Sequence, residues 1–205
     1  MAKRFFETFP ALILEDELKD LFEFAEVTAL KYNRDRTAIH VYLLCRRLIS
    51  KPQIYAVESK IEKQMFPDGD MKIRIFESFS LSEQYTPSYL VDVYKDSLFA
   101  EIKRRSDLDY HILMRADWKV ADDDSLLLTL EDSLWARNRA GELREWIQMV
   151  FYDRCAISIP VAVSFKERDT TAIEEEKKRA EAQAIARIMK ANSVASKEKE
   201  DEFID

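Results

Sequence analysis

The stretch SKPQIYAVESKIEKQMFPDGDMKIRI, Ser50 to Ile75, decides the fold. Ser50 suits the cap of a helix, and Pro52 suits its first turn, where a missing N–H leaves no intrahelical bond unmade. Ile54, Val57, Ile61 and Met65 recur at helical spacing and form one apolar stripe. Pro67-Asp68-Gly69-Asp70 ends the helix, and Met71, Ile73 and Ile75 then alternate with Lys72 and Arg74, the two-residue period of a half-buried strand.

Working outward, the residues before this stretch supply a helix and a hairpin. Leu14, Leu18, Leu21 and Phe22 mark a helix from Leu14 to Phe24. Val27 to Tyr32 and Thr37 to Leu44 read as strands around the polar turn Asn33-Arg34-Asp35-Arg36. The first unit is thus α-β-β-α-β. The same order returns downstream. Leu90, Val93, Tyr94, Leu98 and Ile102 give a helix from Tyr89 to Arg104, followed by a short one from Asp107 to Arg115. Ala116 to Val120 and Leu126 to Leu130 form a hairpin around Asp122-Asp123-Asp124. Asp132 or Ser133 caps a long helix to Tyr152 carrying Leu134, Leu143, Trp146, Ile147 and Val150. Ile157, Ile159, Val161, Val163 and Phe165 alternate over a last strand.

The predicted fold class is therefore α+β: two small α-β-β-α-β domains, each a three-stranded sheet with helices on one face, in the order of a truncated type II KH fold. The domains occupy 1–80 and 89–168, and 81–88 is a linker containing Thr86-Pro87. Residues 169–205 read as a charged helix, Ile173 to Lys190, leading into a charged, disordered connector.

Composition excludes several functions. The 205 residues include two glycines, so neither a P-loop nor a dinucleotide fingerprint, each needing several glycines at fixed spacing, can be built. The net charge of −7 argues against a dedicated nucleic-acid binder, which would carry a basic footprint. Cys45 and Cys155 lie in apolar runs and read as buried free thiols in a reducing compartment. No segment reaches the ~18 apolar residues of a membrane span. A cytoplasmic protein with no membrane partner is expected.

Catalytic chemistry finds no foothold. His40 and His111 lack Cys, His or carboxylate neighbours at metal-ligand spacing and read as structural. Asp122-Asp123-Asp124 lacks the spaced ligands of a calcium loop and reads as a solvated turn. No catalytic, cofactor-binding or metal-binding residue is assigned. The Gly-x-x-Gly loop by which KH domains hold single strands is also missing.

What remains are candidate partner-binding residues. Trp135, Arg137, Arg139 and Arg144 lie together on one predicted helix, and Trp and Arg are favoured interface anchors. Trp135 reads either as such an anchor or as core, and the arginines either as contacts or as a solvated face. Arg46 and Arg47, in the basic segment ending at Lys51, are a second candidate, and Lys103-Arg104-Arg105 a third.

Four stretches carry a family resemblance: Arg46-Arg47-Leu48-Ile49-Ser50-Lys51; IYAVESKIEKQMFP, Ile54 to Pro67; LSEQYTPSYLVDVYKDSLFAEIK, Leu81 to Lys103; and LTLEDSLWAR, Leu128 to Arg137. Together, in this order, they resemble the amino-terminal region of PolC-type DNA polymerase III of Gram-positive bacteria, closest in style to clostridial members. The resemblance covers roughly residues 5 to 168. It implies a full-length polymerase with 3′–5′ exonuclease activity, both in later domains together with their magnesium, and the charged helix from Ile173 as the connector to an OB fold. It also implies that 89–168 is similar to the polymerase-binding domain of the clamp-loader tau subunit. The expected role is a non-catalytic replisome docking region, with the clamp loader or other replication factors as partners and no cofactor. The alternative is a module that binds single-stranded nucleic acid through its local basic segments.

Overall fold

Residues 2–82 and 84–167 are described by a computed structural model of the chain. The predicted helix and connector of 169–205 lie outside the described residues. The chain opens with Lys3–Arg4 (β1) and Phe5–Thr8 (α1), then Asp16–Phe22 (α2), Glu26–Tyr32 (β2), Ala38–Cys45 (β3), Lys51–Met65 (α3) and Lys72–Phe79 (β4). Pro87–Arg105 (α4) and Asp107–Met114 (α5) come next, then Asp117–Val120 (β5), Leu126–Glu131 (β6), Leu134–Cys155 (α6) and Val161–Lys166 (β7). The class is α+β.

Two separate mixed sheets result, in the orders β1-β2-β3-β4 and β5-β6-β7. Each contains an antiparallel hairpin and a third strand laid parallel to the second after a helical crossover, with Val41 opposite Ile75 and Leu128 opposite Val163. The first hairpin turns where Asn33 Oδ1 accepts the backbone N–H groups of Thr37 and Ala38 at 2.8 and 2.9 Å, the local bonding that makes Asn a turn former. Helix α3 starts as its sequence dictates, with Ser50 at the cap, the Ser50 N–H donating to Gln53 Oε1 and Pro52 in the first turn.

Apolar burial holds each sheet to its helices. Val41, Leu43, Cys45, Ile73, Ile75 and Phe79 face inward from β3 and β4 against Ile54, Val57 and Ile61 of α3. Each such side chain contributes about 1.5–3 kcal/mol on leaving water. In the second sheet Leu126, Leu128 and Leu130 do the same beside Leu143, Ile147, Val150 and Phe151 of α6.

Three expectations need correction. The first sheet has four strands, because Lys3–Arg4 pairs with Glu26 and Val27. Phe5 of α1 is fully buried and packs on Phe9 and Phe22. Elements of two and four residues are too short to show a period. Thr86-Pro87, assigned to the linker, instead starts α4: the Thr86 side chain accepts the Tyr89 N–H and Pro87 stands first in the helix. Last, the alternation from Ile157 becomes ladder only at Val161, since Ala156 turns the chain through left-handed geometry (φ 54°, ψ 27°) and Pro160 has no N–H to give.

Ala156 is the left-handed residue that ends α6, a position that favours glycine. Ala156→Gly is expected to stabilise the protein by about 0.5–1 kcal/mol, relief of Cβ crowding outweighing the added freedom of the unfolded chain. Thermal denaturation should show a rise of roughly 1–4 °C.

Candidate functional site

The start of α6 presents two adjacent large apolar side chains to solvent. Ser133 caps the helix by accepting the Ala136 N–H at 3.1 Å, and Leu134 and Trp135 come next, 71% and 62% exposed. The inward stripe begins one residue later, at Ala136, and continues through Leu143, Trp146, Ile147, Val150 and Phe151. Trp135 is thus not core, and neither is Leu134, although apolar spacing places it there. Arg137 is fixed beside them. Its Nε and Nη2 both donate to the Asp132 carboxylate at 2.6 Å, and its guanidinium lies 5.1 Å from the centre of the Phe165 ring.

Arg139 points elsewhere. Its Nε and Nη2 donate to Asp109 of α5 at 2.8 and 2.7 Å, and Asp109 is completely buried. Those hydrogen bonds from Arg139 hold the Asp109 carboxyl below its ordinary value, against the opposing effect of burial. Arg139 therefore joins α5 to α6. Arg144 lies further along, half exposed, with Glu145 at 3.5 Å. Of the four α6 residues singled out by sequence, Trp135 and Arg137 alone share the exposed helix start.

Arg46 and Arg47 leave the end of β3. Arg46 Nη2 is 3.8 Å from Glu26, and the Arg47 guanidinium is 6.0 Å from the Phe24 ring centre. Together with Arg4 and Leu21 they line a surface cleft. A neighbouring cleft of about 660 Å³ continues from Arg46 and Arg47 to Gln53, Tyr85 and Tyr89. Lys103, Arg104 and Arg105 end α4, where cations complement the helix dipole. Lys103 sits over Tyr110, and Arg104 lies 3.3 Å from the ring centre of Tyr55 and 3.7 Å from Glu58.

His40 packs edge-on against Phe76 and His111 against Tyr110. Asp122, Asp123 and Asp124 occupy the β5–β6 turn, where Asp123 accepts from the Ser125 N–H and hydroxyl; these bonds lower its pKa. Among the described residues no group of three or more His, Cys, Asp or Glu side chains could hold a metal ion.

Residues 4–75 match the family described as DNA polymerase III polC-type N-terminus I. This segment belongs to that family. The matched region runs from β1 into the middle of β4, and its family is the amino-terminal region of PolC-type DNA polymerase III, a replication enzyme. No curated protein matches the chain.

The polC-type segment is bolted to the later helices by a buried ionic cluster that sequence reasoning missed. Glu77, whose side chain is entirely buried in β4, accepts from Lys51 Nζ at 2.8 Å and from the Tyr94 hydroxyl at 3.0 Å. Arg154 of α6 approaches the same carboxylate at 3.4 Å, donates to the Tyr94 hydroxyl at 3.1 Å and pairs with Glu101 at 2.6 Å. Lys51 also donates its backbone N–H to Ser97 Oγ at 3.1 Å. Elements of both sheets' layers (α3 and β4, then α4 and α6) meet here. Residues Met1–Lys166 accordingly form one compact unit. Burial pushes the Tyr94 hydroxyl far up and also raises the thiols of Cys45, to about 12, and Cys155, to about 11. Both cysteines are free and buried, as their apolar runs implied.

Proposed function

We propose that this region is a non-catalytic docking region of a replicative polymerase and that α6 begins its contact surface. The observation that carries the reading is the exposed Leu134-Trp135 pair with Arg137 held beside it by Asp132. Aromatic and Arg side chains dominate the energetics of protein interfaces, and a large rigid ring already free of the core loses little entropy on docking. The polC-type match supports a replication protein as the partner, and the clamp loader is the first to test. The protein would act in the cytoplasm. No described helix is long and apolar enough to cross a membrane.

Isothermal titration of the chain with purified clamp-loader subunits tests the reading. Trp135→Ala is expected to weaken binding by about 2 kcal/mol, roughly thirtyfold, while the melting curve stays in place. Unchanged affinity in that variant would remove α6 as the docking face. The chain with magnesium and primed template is expected to incorporate no nucleotide and to degrade no DNA. Turnover that co-purifies with the protein would overturn the non-catalytic assignment.

A further inference from the structure

We infer that the open face of the first sheet, together with the basic and aromatic side chains along the β4 edge, binds single-stranded DNA, independently of the docking surface on α6. Strand alternation places Ala38, His40, Tyr42 and Leu44 of β3 on the uncovered side, beside Lys72, Arg74, Phe76 and Ser78 of β4. Lys31 of β2 pairs with His40 in the ladder and joins them. The centre of this face is aromatic. Tyr42 and Phe76 stack with centroids 5.3 Å apart and planes at 19°, His40 meets Phe76 at 5.1 Å, and Lys31 lies 4.9 Å from the Tyr42 ring centre. Phe76 is nearly half exposed.

The face does not stop at the edge strand. Arg74 and Phe76 also line a cleft with Tyr55, Arg104 and Arg105, so the basic and aromatic band continues over β4 to the end of α4. The carboxylates beside it are Glu58, Glu62 and Glu101; Glu101 is paired with Arg154, and the other two are engaged in sealing the strand edge. Glu62 accepts the Ile73 N–H and Glu58 the Ile75 N–H, each at 2.8 Å. Their contacts with Lys72 and Arg74 are long, 3.6 and 3.8 Å, and those cations are more than half exposed. The Lys72–Glu62 pair is exposed on its cation side and weak, and the long Arg74–Glu58 contact leaves the exposed guanidinium able to bond a phosphate while buried Glu58 keeps the Ile75 N–H. Lys31, Lys72, Arg74, Arg104 and Arg105 thus give a positive band on a chain whose net charge is −7.

A nucleic acid is the ligand this combination fits. Exposed rings offer π-faces to unpaired bases, and flanking cations track the backbone without reading sequence. Duplex bases are stacked on one another and cannot use the rings. The replication family of residues 4–75 makes DNA the strand to which the proposal commits.

Fluorescence anisotropy of the full chain with a labelled oligothymidine of about 12 nucleotides tests this. Binding is expected at about 20 mM salt and should fall at least about a hundredfold over a tenfold rise in salt, as release of counterions from about three or more phosphates requires. Phe76→Ala, and separately the pair Arg74→Ala with Arg105→Ala, should each weaken binding by about fivefold or more at unchanged melting temperature. If Phe76→Ala unfolds the protein, Phe76→Leu replaces it, keeping an apolar contact without the flat ring. Lys119→Ala, on the second sheet, should bind as the parent does. Absence of binding at low salt, equal loss in Lys119→Ala, full affinity in the Phe76 and arginine variants, or tighter binding of oligouridine or duplex DNA would each overturn the proposal.

Discussion

Truncating Glu77 to Ala is expected to destabilise the unit of residues 1–166 by about 3–5 kcal/mol, a large share of the 5–15 kcal/mol that holds a typical domain together. The carboxylate is the shared acceptor for Lys51, Tyr94 and Arg154. Removing it leaves the Lys51 ammonium, itself almost fully buried, without its carboxylate, whereas Arg154 keeps Glu101. The loss is therefore chiefly the cost of one stranded cation. A double replacement, Glu77→Leu with Lys51→Met, removes both charges and fills similar volume, so it should recover much of the deficit. Urea unfolding at neutral pH measures both. A Glu77→Ala variant within about 1 kcal/mol of the parent would show that the cluster does not tie the two sheets' layers together.

That cluster also marks the boundary of what the sequence discloses. Periodicity locates every long element, because Ile54, Val57 and Ile61, or Leu126, Leu128 and Leu130, each repeat within one turn or one pleat. The inward register of β4 runs Ile73, Ile75, Glu77, Phe79, and a carboxylate in an apolar register is a sign of a buried partner. A strand read only as far as Ile75 stops short of that sign. The partners Lys51, Tyr94 and Arg154 lie far apart in sequence, and no local pattern joins them. Trp135 is legible in part: it stands off the stripe of Leu143, Ile147 and Val150, which is why it faces solvent. Its neighbour Arg139 is not. Whether an arginine in a basic run contacts solvent or a buried acid depends on a helix about 30 residues away.

Arg139 and Arg137 consequently separate, although the sequence groups them, either as contacts or as a solvated face. Arg139→Ala is expected to cost about 3 kcal/mol, because it leaves the buried Asp109 carboxylate with the weaker Ser106 hydrogen bond and the Arg105 charge. Arg137→Ala breaks an exposed pair with Asp132 and should melt like the parent. The dependence on pH gives a second signature. Hydrogen bonds from Arg139 depress the Asp109 pKa below its ordinary 3.8, so this pair's stabilisation is present above that pH and is lost as the pH falls through the depressed value. Without Arg139, burial instead favours the protonated acid. The gap between parent and Arg139→Ala should then be widest near neutrality and shrink steadily below about pH 4. Urea midpoints compared at neutral and acid pH read this directly. A gap that does not change with pH would mean that Arg139 acts through packing of its aliphatic stem and not through the carboxylate it holds.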